Sequence, residues 1–335
     1  MGLSGVLGQP DELCRFEKIH RKDVQDCGDE TGFGGLGGVG CVSRWDFWRN
    51  VLVLGFREKD RLGVNPYRLG LVGGTDTHNA TPGLVSESDW PGHIGDTDAS
   101  PKTRLTGAAG GSFTTDGIVT SPGGLTGVWA VENSRDAIFE AMKRRETFAT
   151  TGPRIGVRFF GGWELPEDMC SRSNFAEIGY RNGVAMGGDL PEPPSGDAKP
   201  KFAVMAFKDP GTDRESGTPL QRVQIVKGVV DADGKDELKV IDVAGNADSG
   251  SLETSTCEAS GEGDDSLCTV WTDDDYRRGA RTFYYVRVLE NPTCRWSTRV
   301  CNELSKAERP EECDDSDHPK TIQERAWTSP IWHGG

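Results

Sequence analysis

Hydrophobic spacing changes character near residue 150. Before it, two stretches repeat at helical period. Trp45, Trp48, Leu52 and Phe56 fall on one side, with Arg49, Arg57, Glu58 and Lys59 on the others. The spacing predicts a helix from about Arg44 to Arg61, opened by Ser43 as N-cap and stopped by Gly63 and Pro66. A second helix is expected from Asn133 or Ser134 through Arg145, with Ala137, Ile138, Ala141 and Met142 as its apolar face and Glu132 near its positive end. Between them lie a short apolar run, Leu69–Val72, and a run at Val128–Ala130, both read as strands. A weaker helix is expected over Asp11–Ile19, and a glycine-rich loop over Gly28–Gly40.

From Ile155 onward the helical period does not return. Short runs at Ile155–Phe160, Phe202–Phe207, Val223–Val230, Leu238–Val243 and Thr282–Leu289 are separated by turns rich in Gly, Pro, Asp and Asn. That pattern predicts an antiparallel β-sandwich. Phe148–Pro153 marks the change, so residues 1–152 and 153–335 are expected to form two domains. Asp231-Ala-Asp233-Gly-Lys-Asp236 lacks the spacing and the closing glutamate of a calcium loop and reads as a hairpin turn.

The chemistry gathers at Leu69–Pro82. The apolar run ends in Gly73-Gly74, and Asp76 and His78 follow two residues apart. At the end of a buried parallel strand, residues i and i+2 leave on the same side, so a carboxylate and an imidazole would emerge together where α/β proteins bind metals. The plainer alternative is a capping aspartate beside a hydrogen-bonded histidine. Two side chains do not complete a site, because catalytic zinc usually takes three protein ligands. The long irregular segment Thr81–Thr126 carries His93, Asp89, Asp96, Asp98, Lys102 and Arg104. His93 is a candidate to line the same site or to support it from behind. Arg104 or Lys102 is a candidate to meet a substrate anion.

Composition narrows the partners. The chain has 335 residues and a net charge of −15, which argues against nucleic acid or an anionic membrane as main partner. No stretch is apolar enough for a membrane helix. Of nine cysteines, six lie in the second half without Cys-x-x-Cys spacing, and they read as disulfides formed in an oxidising compartment. Met1–Gly8 has no signal-peptide pattern. An expected truncation at the N-terminus reconciles the two.

Several passages resemble the DUF3604 family. They include Arg61–Gly83, Glu146–Ile155, Val157–Trp163, Tyr284–Thr298 and Arg325–Trp332. Gly74-Thr-Asp-Thr-His78 is also similar to the last metal motif of PHP (polymerase and histidinol phosphatase) metallohydrolases. The resemblance implies that Asp76 and His78 ligate a divalent metal (Zn, Mn or Fe), with Asn79, His93 and Arg104 nearby for support or substrate. It implies a metal-dependent hydrolase of phosphoesterase type, acting on a small-molecule ester. It further implies the C-terminal part of a PHP-like (β/α) barrel followed by a β-rich domain, in a family protein that is periplasmic or secreted. The chain departs from the PHP pattern in having no His-x-His, and only His20 precedes His78. An incomplete centre is therefore expected. The alternatives are a non-catalytic fragment, or a glycan- or partner-binding β module using Trp163, Trp271 and Trp296.

Overall fold

The computed structural model describes residues 25–28, 30, 41–95, 98–107, 117–213, 215–316 and 318–334. The helix expected at Asp11–Ile19, His20, Asp96 and most of the Gly28–Gly40 loop lie outside them.

Near the start, β1 (Gln25–Gly28) and β2 (Cys41–Ser43) pair in parallel, and Cys27 and Cys41 are joined by a disulfide. Then come α1 (Trp48–Leu62), α2 (Pro101–Thr106), β3 (Leu125–Val128), α3 (Arg135–Lys143) and β4 (Thr147–Thr150). Strands β5 (Gly156–Gly162), β6 (Val184–Ala185) and β7 (Lys201–Phe207) follow, with α4 (Phe175–Asn182) between β5 and β6. Next are β8 (Leu220–Val230), β9 (Asp236–Gly245), β10 (Ser251–Glu253), β11 (Glu258–Ser260), β12 (Ser266–Thr272) and β13 (Arg281–Glu290). The chain ends with β14 (Thr293–Cys294), α5 (Trp296–Glu303), β15 (Thr321–Ile322), β16 (Arg325–Thr328) and β17 (Ile331–His333).

Two antiparallel sheets carry the core. One has seven strands in the order β3-β4-β16-β13-β8-β9, with β17 also on β13; the other runs β12-β7-β5-β6. Strand alternation explains how they pack. Tyr284, Val286 and Val288 of β13 face the smaller sheet and meet Phe159, Phe202 and Val204, while Phe283 and Tyr285 face the other way, onto Leu52, Val53 and Phe56 of α1. On the far side of the smaller sheet, Phe160 and Ala203 pack against Phe175 and Ile178 of α4. The layers are therefore helix, sheet, sheet, helix. A polar lock crosses the sandwich: Lys227 Nζ of β8 lies 2.6 Å from Asp273 Oδ2, just after β12, and the hydroxyl of Tyr284 donates to the same oxygen at 2.6 Å.

The expected barrel end is absent. Among the described residues both large sheets are antiparallel and no closed β/α barrel forms. The reason lies in Leu69–Val72. A parallel barrel strand is buried on both faces, but Leu69 and Val72 are 46 % and 57 % exposed. The backbone here finds side chains instead of a ladder: Leu71 N–H donates to Ser329 Oγ, and Gly73 N–H to Thr126 Oγ1. Gly73 is needed at that contact, since a Cβ would sit 2.5 Å from the Leu125 carbonyl oxygen. The segment is an extended ribbon beside β3, and β3 and β4 share their sheet with strands from beyond residue 152.

Several local expectations meet their residues with shifts. The first helix is preceded by a separate 3-10 turn at Arg44–Asp46, and Ser43 Oγ accepts from Trp45 N–H there instead of capping α1. Ser134 does cap α3, accepting from Ala137 N–H, but of the expected apolar face only Ala141 is buried. Asp231–Lys235 is a hairpin turn, with Asp231 Oδ1 accepting from the N–H groups of Asp233 and Lys235. Disulfides join Cys170 to Cys268, Cys257 to Cys294 and Cys301 to Cys313. Together with Cys27–Cys41 these use eight of the nine cysteines; Cys14 lies outside the described residues.

Candidate functional site

The ribbon that replaces the expected strand still alternates. Leu71, Gly73, Thr75, Thr77 and Asn79 are half-buried, whereas Val72, Gly74, Asp76, His78 and Ala80 are exposed. Asp76 and His78 therefore emerge on one side, 90 % and 65 % exposed, with Asp76 Oδ1 3.7 Å from His78 Nε2. Asp76 has a left-handed backbone, φ 50°, which an aspartate tolerates better than most residues.

The neighbouring loop fixes this ribbon through its backbone. His78 N–H donates to the His93 carbonyl at 2.8 Å, and the Asn79 amide donates to the Gly92 carbonyl at 2.7 Å. Asn79 Oδ1 accepts from the hydroxyls of Thr77 and Thr81, so its side chain is a clamp and is turned inward. On the opposing loop, Asp98 Oδ2 accepts from the N–H groups of His93 and Ile94. The His93 ring packs edge-on against Trp90, centroids 5.1 Å apart, and its Nδ1 is buried without a hydrogen-bond partner among the described residues.

Arg104 is also turned inward. Its guanidinium donates to the Trp90 carbonyl, and burial pulls its pKa down against the opposing pull of Asp98 and Glu303. Lys102 is exposed. The structure thus brings Asp76 and His78 together, and ties the His93 loop to them through backbone and Asn79. Among the described residues no group of three or more His, Cys, Asp or Glu side chains is placed to hold a metal ion. The tryptophans are occupied in packing. Trp296 is fully buried, Trp271 stacks on Phe202, and Trp163 donates to the Pro191 carbonyl while meeting Tyr276 edge-on.

A second grouping had no motif to announce it. Glu87, Glu290 and Glu324 are buried yet line a cleft of about 510 Å³ between the Gly83–Asp89 segment, the Gly152–Arg154 turn and the ends of β13 and β16. The one signal in the sequence was position: Glu290 follows directly on the largely apolar run that ends at Leu289.

A family model described as "Protein of unknown function (DUF3604)" matches residues 3–335. The chain belongs to the DUF3604 family. No curated protein and no solved structure matches it. Membership covers both groupings in this DUF3604 chain, the exposed Asp76–His78 pair and the carboxylate-lined cleft. Four disulfides fit an oxidising environment outside the reducing cytosol. Among the described residues no helix is long and apolar enough to cross a membrane.

Proposed function

We propose that this DUF3604 chain supplies Asp76 and His78 to the divalent-metal centre of a hydrolase acting on a small-molecule ester, of phosphoesterase type, in the periplasm or outside the cell. The observation that supports it is the convergence of the two side chains, 3.7 Å apart and both open to solvent. A carboxylate oxygen and an imidazole nitrogen suit zinc, manganese or iron. Two donors fall short of the three that a catalytic zinc usually takes from protein, so the centre needs ligands from outside the described residues. When bound, the ion would make a water nucleophilic and polarise the ester oxygen.

The chain's own part is to aim and hold. The ribbon keeps Asp76 and His78 exposed and 3.7 Å apart. The His78–His93 and Asn79–Gly92 hydrogen bonds tether the ribbon at its far end. Metal analysis and metal titration of the wild-type chain, Asp76→Ala and His78→Ala test the reading. Wild type should take up zinc or manganese, and each variant should lose that uptake. Uptake unchanged in both variants would overturn it. A chelator should likewise abolish cleavage of p-nitrophenyl phosphate if the chain turns it over.

A further inference from the structure

One buried carboxylate in the wall of the cleft is left without a hydrogen-bond partner for one of its oxygens among the described residues. Glu290 is 1 % exposed, lines the cleft, and its Oε1 has no hydrogen-bond partner. No lysine or arginine among the described residues pairs with it. Arg154, which lines the cleft, is committed elsewhere: it donates from backbone and guanidinium to Asp209 and to the Gly211 carbonyl. Arg299 lines the cleft too, with its Nε buried and without a hydrogen-bond partner among the described residues. Glu87 and Glu324 line the cleft as well, and Glu87 Oε2 accepts from the Trp296 N–H. An uncompensated buried carboxylate is costly, and the cost falls when a counter-charge and a hydrogen-bond donor arrive together.

Size and lining decide what kind of counter-charge fits. Ordinary ligand pockets occupy roughly 300–1,000 Å³, and a cleft of about 510 Å³ lies within that range. A bare ion fills far less and needs its oxygens converged around it, whereas no such convergence of three groups occurs among the described residues. Leu84, Val85, Leu125 and Pro153 give the cleft an apolar side that an alkyl chain would cover.

We propose that this cleft binds a small organic cation, an alkylammonium or alkylguanidinium, with the Glu290 carboxylate as its buried acceptor. The proposal is separate from the metal pair at Asp76 and His78 and does not depend on it. Burial, reinforced by Glu324 and Asp209 and opposed by Lys208, lifts the Glu290 carboxyl well above the usual carboxylate range.

Isothermal titration of the full chain with agmatine, with butylamine, with butanol as the uncharged isostere, and with calcium chloride tests this. Agmatine and butylamine should bind saturably at one site, butanol should not, and Glu290→Gln should weaken both amines by at least about tenfold. Three results would overturn it: no amine binding, equal binding of butanol, or unchanged affinity in Glu290→Gln. Displacement of the amines by calcium at similar concentration would also overturn it, in favour of a metal site. Should Glu290→Gln fail to fold by circular dichroism, the wild-type preference for amine over butanol and calcium still decides the matter.

Discussion

Replacing Lys227 with methionine tests whether the sandwich is held by its buried polar lock. Lys227 and Asp273 have side chains only 1 % exposed, and their charged atoms are 2.6 Å apart. Lys227 Nζ also donates to the Asp275 carbonyl at 3.0 Å. Asp273 in turn accepts from Tyr284 Oη and from Asp275 N–H. Methionine keeps the apolar stem but leaves Asp273 without its counter-charge and the Asp275 carbonyl without that donor. Removing one partner of a buried ion pair costs about 3–5 kcal/mol. With a urea slope of about 3 kcal/mol/M, the unfolding midpoint should fall by roughly 1–1.7 M. Tryptophan fluorescence with the disulfides intact would follow the transition. Lys227→Met combined with Asp273→Leu should lose clearly less than the two single changes added together, because the second change removes the stranded charge. A loss under about 1 kcal/mol for Lys227→Met, or strict additivity in the double variant, would refute the lock.

The other expectations concern pH and cross-links. The Glu290 carboxyl is lifted in the folded state, so its contribution to stability is present below the unfolded carboxyl pKa and lost as pH rises towards the folded value. Glu290→Gln should therefore stabilise the chain near pH 8 and lose that advantage under acid conditions; thermal melts across pH check this, and an advantage that grows towards acid would contradict the burial argument. Loop-closure entropy ranks the disulfides by separation. Cys170–Cys268 spans 98 residues and Cys301–Cys313 spans 12, which corresponds to about 4.7 and about 3 kcal/mol in that model. Paired alanine substitutions should destabilise the first site more than the second in urea titrations, and the reverse order would count against an entropic account.

The later strands were legible because each is a short apolar run with turn residues at both ends, and β5, β7, β8, β9 and β13 all cover runs expected from that pattern. Pattern does not state which face a strand buries when both faces are covered. β13 is apolar on both sides, Tyr284 and Val286 inward to the sandwich, Phe283 and Tyr285 outward to α1. The same ambiguity misdirected Leu69–Val72. Four apolar residues before two glycines match a buried parallel strand, but they equally match an edge ribbon whose glycines allow close approach to β3. Only the partners, Ser329 and Thr126, distinguish the two, and they lie far away in sequence or after a long irregular segment.

The pair at Asp76 and His78 was legible for a reason that survives the change of fold. Residues i and i+2 share a side of an alternating ribbon, and the two side chains here stay exposed and 3.7 Å apart although Asp76 itself has a left-handed backbone. The cleft offers no such local rule. Glu87, Glu290 and Glu324 come from three separate stretches, and each reads locally as a polar residue at the margin of a loop or strand. Their chemistry arises from shared burial, a property of the folded sandwich. The Glu324 carbonyl shows how the sharing comes about: it accepts from Glu290 N–H at 2.9 Å, so the turn into β16 brings the two residues side by side at the end of β13. The unpartnered oxygen of Glu290 at the wall of the cleft is a cost that a ligand's donor can offset.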